Sequence, residues 1–369
     1  MAFLENGNTI INDSGNGAFT SLTVTANSRI YIGQNFYTTA AGNIFQGTRY
    51  GYVGVGYSPS IPGGTISTIE RFSFVNDGNA SVIGDMSFRT RDAQLSSSAT
   101  NGYQAGGFTG NISIIQKFPF AVDYGVKATE VGRFLTYPNT SPLTAQPYLH
   151  AGAGQSSIPY GYGYSSGGNG GTSVNRIYKY AFSSNGDSIP VGNLTAPVML
   201  MTGISSTTSG YTAGGYALAP STFDSNPAPY STTKIDKFPF ATDTNASTVA
   251  NLAAARVRAA GGSSPTSGYV AGGIPFPLAS APTVSTIAKF TFASDSSVTV
   301  QSAVLTSGRY NGGDASSVSS GYVAGGKTST SDPSVISNIQ KYSFVSDTNA
   351  TSVGNLIIAR HNFTGGHQV

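Results

Sequence analysis

The chain has 369 residues, 39% of them hydrophobic and only 9% charged, with 47 Gly, 21 Tyr, 20 Phe and neither Cys nor Trp. An ordinary soluble domain carries about 25% charged residues, so the polar share here falls to Gly, Ser, Thr and Asn, which suit short strands and tight turns rather than solvated helices. The lack of cysteine excludes disulfides, thiolate metal sites and cysteine nucleophiles, and a net charge of +3 scattered along the chain leaves no electrostatic footprint for nucleic acid.

The N-terminal stretch MAFLENGNTI carries Glu5 and no apolar core, so it does not read as a signal peptide, and no run of 18 apolar residues predicts a membrane helix. The expectation is a soluble protein made in the cytoplasm, with no membrane insertion. Residues 1–48 hold short β-prone runs (Phe19–Thr25, Arg29–Gly33) split by Gly, Asn and Ser. They contain too little apolar material for a core, so they are expected to be an arm that orders against a neighbouring subunit or caps the rest.

From Gly51 onward the chain repeats. A hexapeptide, GYVAGG in its strictest form, starts at Gly51, Gly102, Gly163, Gly210, Gly268 and Gly321. Each copy is followed by a second block, of which IDKFPFATD (235–243) is typical, and then by a third that closes on Met86, Leu135, Leu194, Leu252, Leu305 or Leu356. The blocks alternate with period two: Ile235 and Lys237 share one face, Phe238 and Phe240 the other. With room for a further strand before the next hexapeptide, each unit supplies four short strands, which describes a propeller blade. No stretch has the 3.6-residue period of a helical solenoid.

Spacing predicts how the ring closes. From the closing residue to the next hexapeptide the step is 16 residues at Met86–Gly102, Leu194–Gly210, Leu252–Gly268 and Leu305–Gly321. After Leu356 the chain runs to Val369 with no seventh hexapeptide, yet Arg360–Gly366 aligns with Arg256–Gly262. The C-terminal segment is therefore expected to complete the blade begun near residue 50, giving six blades over 49–369 and removing the open edges of the array.

The Gly-Gly doublet followed by an aromatic-rich strand is similar to the kelch repeat, although this chain has no Trp. The variant GYxAGG, I-x-[KR]-[FY]-x-F-x-x-D and A-[TS]-x-V-G-x-L resembles, over about residues 49–369, the kelch-like repeats of tailed-bacteriophage virion proteins, notably those of marine phages and cyanophages. The resemblance implies an all-β, six-bladed kelch-like β-propeller with an N-terminal arm. It also implies a non-enzymatic structural protein of tail, tail fibre or capsid that takes part in host attachment, with other virion proteins bound through residues 1–48. Propellers host unrelated activities, so a lectin or carbohydrate-active enzyme is the alternative.

The cations of block two (Arg71, Lys117, Lys179, Lys237, Lys289, Lys341) read as structural. Each stem is expected to pack between blades and its amine to reach the turn acid six residues on: Asp77, Asp123, Asp243, Asp295 and Asp347, with Asn185 in the third blade. The three histidines stand apart from other ligand types, so no metal and no cofactor is expected. No nucleophile motif or recurring carboxylate pair marks a catalytic residue. GYGYSSGGNGG (161–171) is no phosphate cradle, because it falls where the third hexapeptide is due and no helix follows. Binding is expected at two insertions predicted to share one face. One, 216–234, holds Tyr216, Phe223, Asp224 and Tyr230; the other, near 136–147, lies with Tyr137, Tyr148, His150, Tyr160 and Tyr162. Rigid amphipathic Tyr rings there would suit a host-surface glycan or protein.

Overall fold

The computed structural model describes residues 3–5, 8–11, 29–32, 35–38, 47–109, 112–134, 149–171, 173–217, 230–275, 282–295, 298–330, 334–346, 348–362 and 367–368. It divides into two compact units, Met1–Asn43 and Ile44–Val369. In the first, Phe3–Glu5 pairs antiparallel with Asn8–Ile11, and Arg29–Ile32 with Asn35–Thr38. The run Phe19–Thr25 lies outside the described residues.

The second unit is the expected six-bladed propeller, an all-β ring of antiparallel sheets. Blade 1 runs from its innermost strand outward as His367–Gln368, Tyr50–Val53, Thr68–Ser73 and Ser81–Asp85. Blade 2 is Gln94–Ser97, Asn101–Ala105, Ile114–Pro119 and Thr129–Arg133. Blade 3 is Ala153–Ser157, Tyr162–Ser166, Arg176–Ala181 and Ile189–Asn193. Blade 4 is Thr202–Ser205, Ser209–Ala213, Lys234–Pro239 and Ser247–Asn251. Blade 5 is Ala260–Ser263, Ser267–Ala271, Thr286–Thr291 and Thr299–Val304. Blade 6 is Gly313–Ser316, Ser320–Ala324, Asn338–Ser343 and Thr351–Asn355. The C-terminal strand closes blade 1 as the spacing predicts, with His367 opposite Tyr52 and Gln368 opposite Gly51.

The hexapeptide is the second strand of each blade, and each of its letters has a packing reason. A Cβ on its first glycine would lie 2.4 Å from the Phe72 ring at Gly51, and 2.4 Å from Phe290 at Gly268. The first aromatic of block two lies across that backbone and leaves room only for hydrogen. Its tyrosine stacks on the second aromatic of the next blade, with centroids 4.7 Å apart for Tyr52–Phe120 and 4.5 Å for Tyr269–Phe344. Tyr322 of blade 6 stacks on Phe74 of blade 1 in the same way at 4.7 Å, so the aromatic layer also closes across the chain ends. The second glycine of the doublet donates its N–H to the joint entering the next blade: Gly107 to Leu149 O at 3.0 Å, Gly273 to Arg309 O at 2.8 Å and Gly326 to Arg360 O at 2.8 Å.

The cations of block two do pair, but with the neighbouring blade. Lys179 meets Asp243 at 2.6 Å, Lys237 meets Asp295 at 2.6 Å, Lys341 meets Asp77 at 3.2 Å across the closure, and Arg71 meets Asp123. Lys117 donates to Asn185 of blade 3 at 2.8 Å, which accounts for the one turn that lacks an acid. The expected pairing within one blade fails on distance. Six residues of largely extended chain at about 3.3 Å each outrun a lysine, whereas the next sheet lies about 10 Å away. Lys289 sits 5.6 Å from the Tyr269 ring centroid; its expected partner Asp295 pairs with Lys237 instead, and Asp347, the turn acid of the neighbouring blade, lies outside the described residues.

Blade 2 departs from the repeat between its third and fourth strands. The extra residues there form Val126–Lys127, which adds a parallel edge to blade 1 opposite Gly84 and Asp85. A side chain at Gly84 would meet Val126 O at 1.9 Å.

Candidate functional site: the central mouth

The six joints entering the innermost strands converge on the ring axis. Each contributes one non-glycine residue with left-handed backbone: Asp92 (φ 55°), Ala151 (57°), Leu200 (60°), Arg258 (58°), Asn311 (57°) and Asn362 (60°). Such a conformation costs about 1–2 kcal/mol per residue outside Gly, Asn and Asp. Hydrogen bonds around the axis hold it. Asp92 N–H donates to Asn362 O (2.7 Å), Ala151 to Asp92 (2.7 Å), Leu200 to Ala151 (2.6 Å), Arg258 to Leu200 (2.8 Å) and Asn311 to Arg258 (2.9 Å).

At the far end of the innermost strands a second ring is built from serine. Ser97 N–H donates to Ser156 Oγ at 2.8 Å, Ser156 to Ser205 at 3.0 Å, Ser205 to Ser263 at 3.2 Å and Ser263 to Ser316 at 2.9 Å. Small residues are required here because the strands crowd the axis: a Cβ on Gly203 would meet Gly154 O at 2.2 Å.

Above the left-handed ring lies a cavity of about 250 Å³, lined by Arg91, Asp92, Phe108, His150, Ala151, Asn169, Met199, Leu200, Arg258 and Asn362. The Arg91 guanidinium lies between the rings of Tyr57 and Phe108, 5.2 and 4.6 Å from their centroids. Phe108 meets His150 edge to face at 4.9 Å. Arg258 Nη1 donates to Asn362 Oδ1 at 3.2 Å, an oxygen also shared with Asn311 Nδ2 and His361 Nδ1.

Among the described residues, Asp92 Oδ1, Arg91 Nε and Arg258 Nε are buried here without a hydrogen bond. Asp92 Oδ2 is 4.0 Å from Arg91 Nε, beyond hydrogen-bonding distance. Burial raises the Asp92 carboxyl above its ordinary range against the pull of Arg258 and Arg91. Burial lowers His150 to about 4, and the same two guanidiniums add to that shift. At neutral pH the imidazole is therefore neutral, and the cavity sets two guanidinium groups around one carboxyl group. Among the described residues its lining has a single carboxylate, whereas the usual hydrolysis of glycosides uses two.

The tyrosine-rich face divides. His150 and Tyr216 reach the mouth: His150 lines the cavity, and Tyr216 pairs backbone to backbone with Met199 at 2.8 and 2.9 Å. Tyr160 and Tyr162 do not join them. The strand Ala153–Ser157 leads away from the mouth, so both tyrosines lie at its far end, where Tyr160 is exposed and Tyr162 faces the Lys179 amine at 4.8 Å. Tyr230 is described by its backbone alone, in a short strand pairing with Ala217. Tyr137, Tyr148, Phe223 and Asp224 lie outside the described residues.

Sequence reasoning missed Arg91, Asp92, Arg258 and Asn362, because no one residue type occupies their positions in all six joints. A run of charge just before an innermost strand, RTRD at 89–92 and RVR at 256–258, is the only signal they leave. No protein-family model matches this chain, and no curated protein matches it.

Proposed function

We propose that this chain is a non-enzymatic structural and display protein of a tailed-bacteriophage particle, in which residues 1–48 bind other particle proteins and the propeller presents its mouth face to host-surface glycan or protein. The reading rests on the kelch-like letters of the repeat. The observation that carries display is the division of labour in each blade: the repeated Tyr, Phe, Gly and Lys side chains are spent on blade-to-blade contacts. The residues that differ between blades meet at the mouth. A ring so cross-linked suits presentation, since contact costs it little ordering.

The test is mass spectrometry of purified particles, with cell binding by the isolated full chain. The protein should be found at fixed stoichiometry in particles, and the chain should bind host cells without turning over their glycans. Absence from the particle, or release of sugar by the purified chain, would overturn the proposal. The second reading, a carbohydrate-binding or carbohydrate-active propeller, is favoured by the polar and aromatic lining of the mouth.

A further inference from the structure

The geometry points to the mouth cavity as a binding site for one small hydroxyl-bearing carboxylate, an acidic sugar of the uronate or sialate class. The inference goes beyond the particle reading and holds for the isolated chain, so the failure of either leaves the other standing. Its first ground is the set of unmade bonds. Arg91 Nε and Arg258 Nε are buried donors with no acceptor, and Asp92 Oδ1 is a buried acceptor with no donor. Leaving such buried groups unpaired is unfavourable, and a ligand with one anionic oxygen pair and a hydroxyl satisfies all of them. A plain anion satisfies only the arginines; a neutral sugar satisfies only Asp92.

The second ground is charge. Both Asp92 and His150 feel the field of Arg91 and Arg258, which converge on the cavity from blades 2 and 5. The neutral imidazole makes no ion pair with the ligand and leaves the carboxylate to the guanidiniums, whose planar forks suit it. The third ground is size and shape. A cavity of about 250 Å³ takes a single sugar ring, and Phe108 at its rim is 43% exposed, offering an apolar face to the ring's C–H side. The left-handed backbone beneath is held by bonds around the axis, so the floor is built before any ligand arrives.

Calorimetric titration of the full chain tests this with D-glucuronate, D-galacturonate and N-acetylneuraminate, against D-glucose. A trisaccharide ending in glucuronate separates recognition of a free sugar from that of a glycan terminus. At least one acidic sugar should bind at least about tenfold more tightly than glucose. Arg91→Gln should weaken that binding about tenfold while leaving the melting temperature unchanged, because Arg91 takes no part in the ring of backbone bonds. Arg258→Gln should weaken it as much; if it lowers the melting temperature, Arg91→Gln alone carries the test. The proposal is overturned if no acidic sugar binds at about 10 mM, if glucose binds equally well, or if Arg91→Gln binds as tightly as the parent. The first of these would mean that ordered water alone fills the cavity.

Discussion

The joint from blade 5 leads into a blade whose four strands are continuous in sequence; the joint from blade 6 leads into blade 1, where no peptide link joins the innermost strand His367–Gln368 to the other three. The two joints share one device and differ in a single partner. Arg309 donates through Nη1 to Gly325 O (3.2 Å) and Asn338 O (3.0 Å), and through Nη2 to Asn338 Oδ1 (3.0 Å). Arg360 repeats the carbonyl bonds, to Val55 O (3.1 Å) and Thr68 O (2.8 Å), but its Nη2 meets the Glu70 carboxylate, and both side chains are fully buried. Glu70 also accepts the backbone N–H groups of Ile357 and Ile358. At the matching position Gln340 accepts only from Thr306 N–H and shares a bond with its hydroxyl. Burial lowers both arginines, Arg309 to about 10, while at Arg360 the Glu70 carboxylate opposes the shift. Where covalent continuity is missing, an ion pair with five hydrogen bonds takes its place.

That contrast is open to attack at several levels. Arg360→Met strands a buried carboxylate and should cost about 3–5 kcal/mol in urea unfolding. Arg309→Met takes a donor from Gly325 O and from Asn338 Oδ1, while Asn338 O keeps the Gly325 N–H, and it should cost about 1–3 kcal/mol. Equal losses would show that the closing joint is no different from the rest. Glu70→Gln gives the closing joint the chemistry of blade 6, and a loss of about 1–2 kcal/mol is expected from the weakened bond to Arg360. The partly exposed pairs should matter less. Lys341→Met and Lys237→Met should each cost about 0.2–1 kcal/mol, and the loss should shrink in 1 M salt. A Lys341 variant that costs several times more than its Lys237 counterpart would show that closure depends on the outer pairs too.

A separate effect is the pH dependence at the mouth, which closure should not alter. Burial, Arg91 and Arg258 disfavour the imidazolium of His150 in the folded state, so the unfolded chain takes up the proton first. The stability this contributes is complete above about 6.5 and is lost as pH falls towards about 4. Asp92, raised by burial, acts in the opposite sense, since its contribution is present below the ordinary carboxyl range and lost as pH rises. His150→Gln should therefore lose less stability than the parent on acidification from pH 7 to 4.5, as read from melting curves. Parallel curves would sink this account of the mouth.

How much of this was legible depends on whether a requirement falls on a side chain or on the backbone. The first glycine of the hexapeptide and the aromatics of block two answer to contact, so the same letters recur in every blade and their spacing reveals both number and closure. The cations recur too, but sequence distance suggested the wrong blade for their partners, because face-to-face neighbours across sheets leave no mark in the order of residues. Glu70, Gln116, Asp236 and Gln340 were overlooked at the position between Ile and the cation. Each follows a register shift between the third and fourth strands, and the bulged backbone aims its side chain at the preceding joint. The mouth was least legible of all. Asp92, Ala151, Leu200, Arg258, Asn311 and Asn362 share a backbone angle and backbone hydrogen bonding around the axis, which five kinds of side chain fulfil.

The pairing of His367–Gln368 with Gly51–Tyr52 also sets a timetable. Arg360 stands 290 positions from the Glu70 it must reach, so the innermost strand of the first blade is translated after every other described strand of the ring. At about 5–20 residues per second, strand Tyr50–Val53 waits on the order of tens of seconds with an unpaired edge. During that interval the C-terminal strand of another nascent copy fits as well as its own, and crowded polysomes favour such an exchange. Slow synthesis or dense expression should therefore yield strand-swapped dimers that retain every blade and differ from the monomer only in whose chain closes the ring.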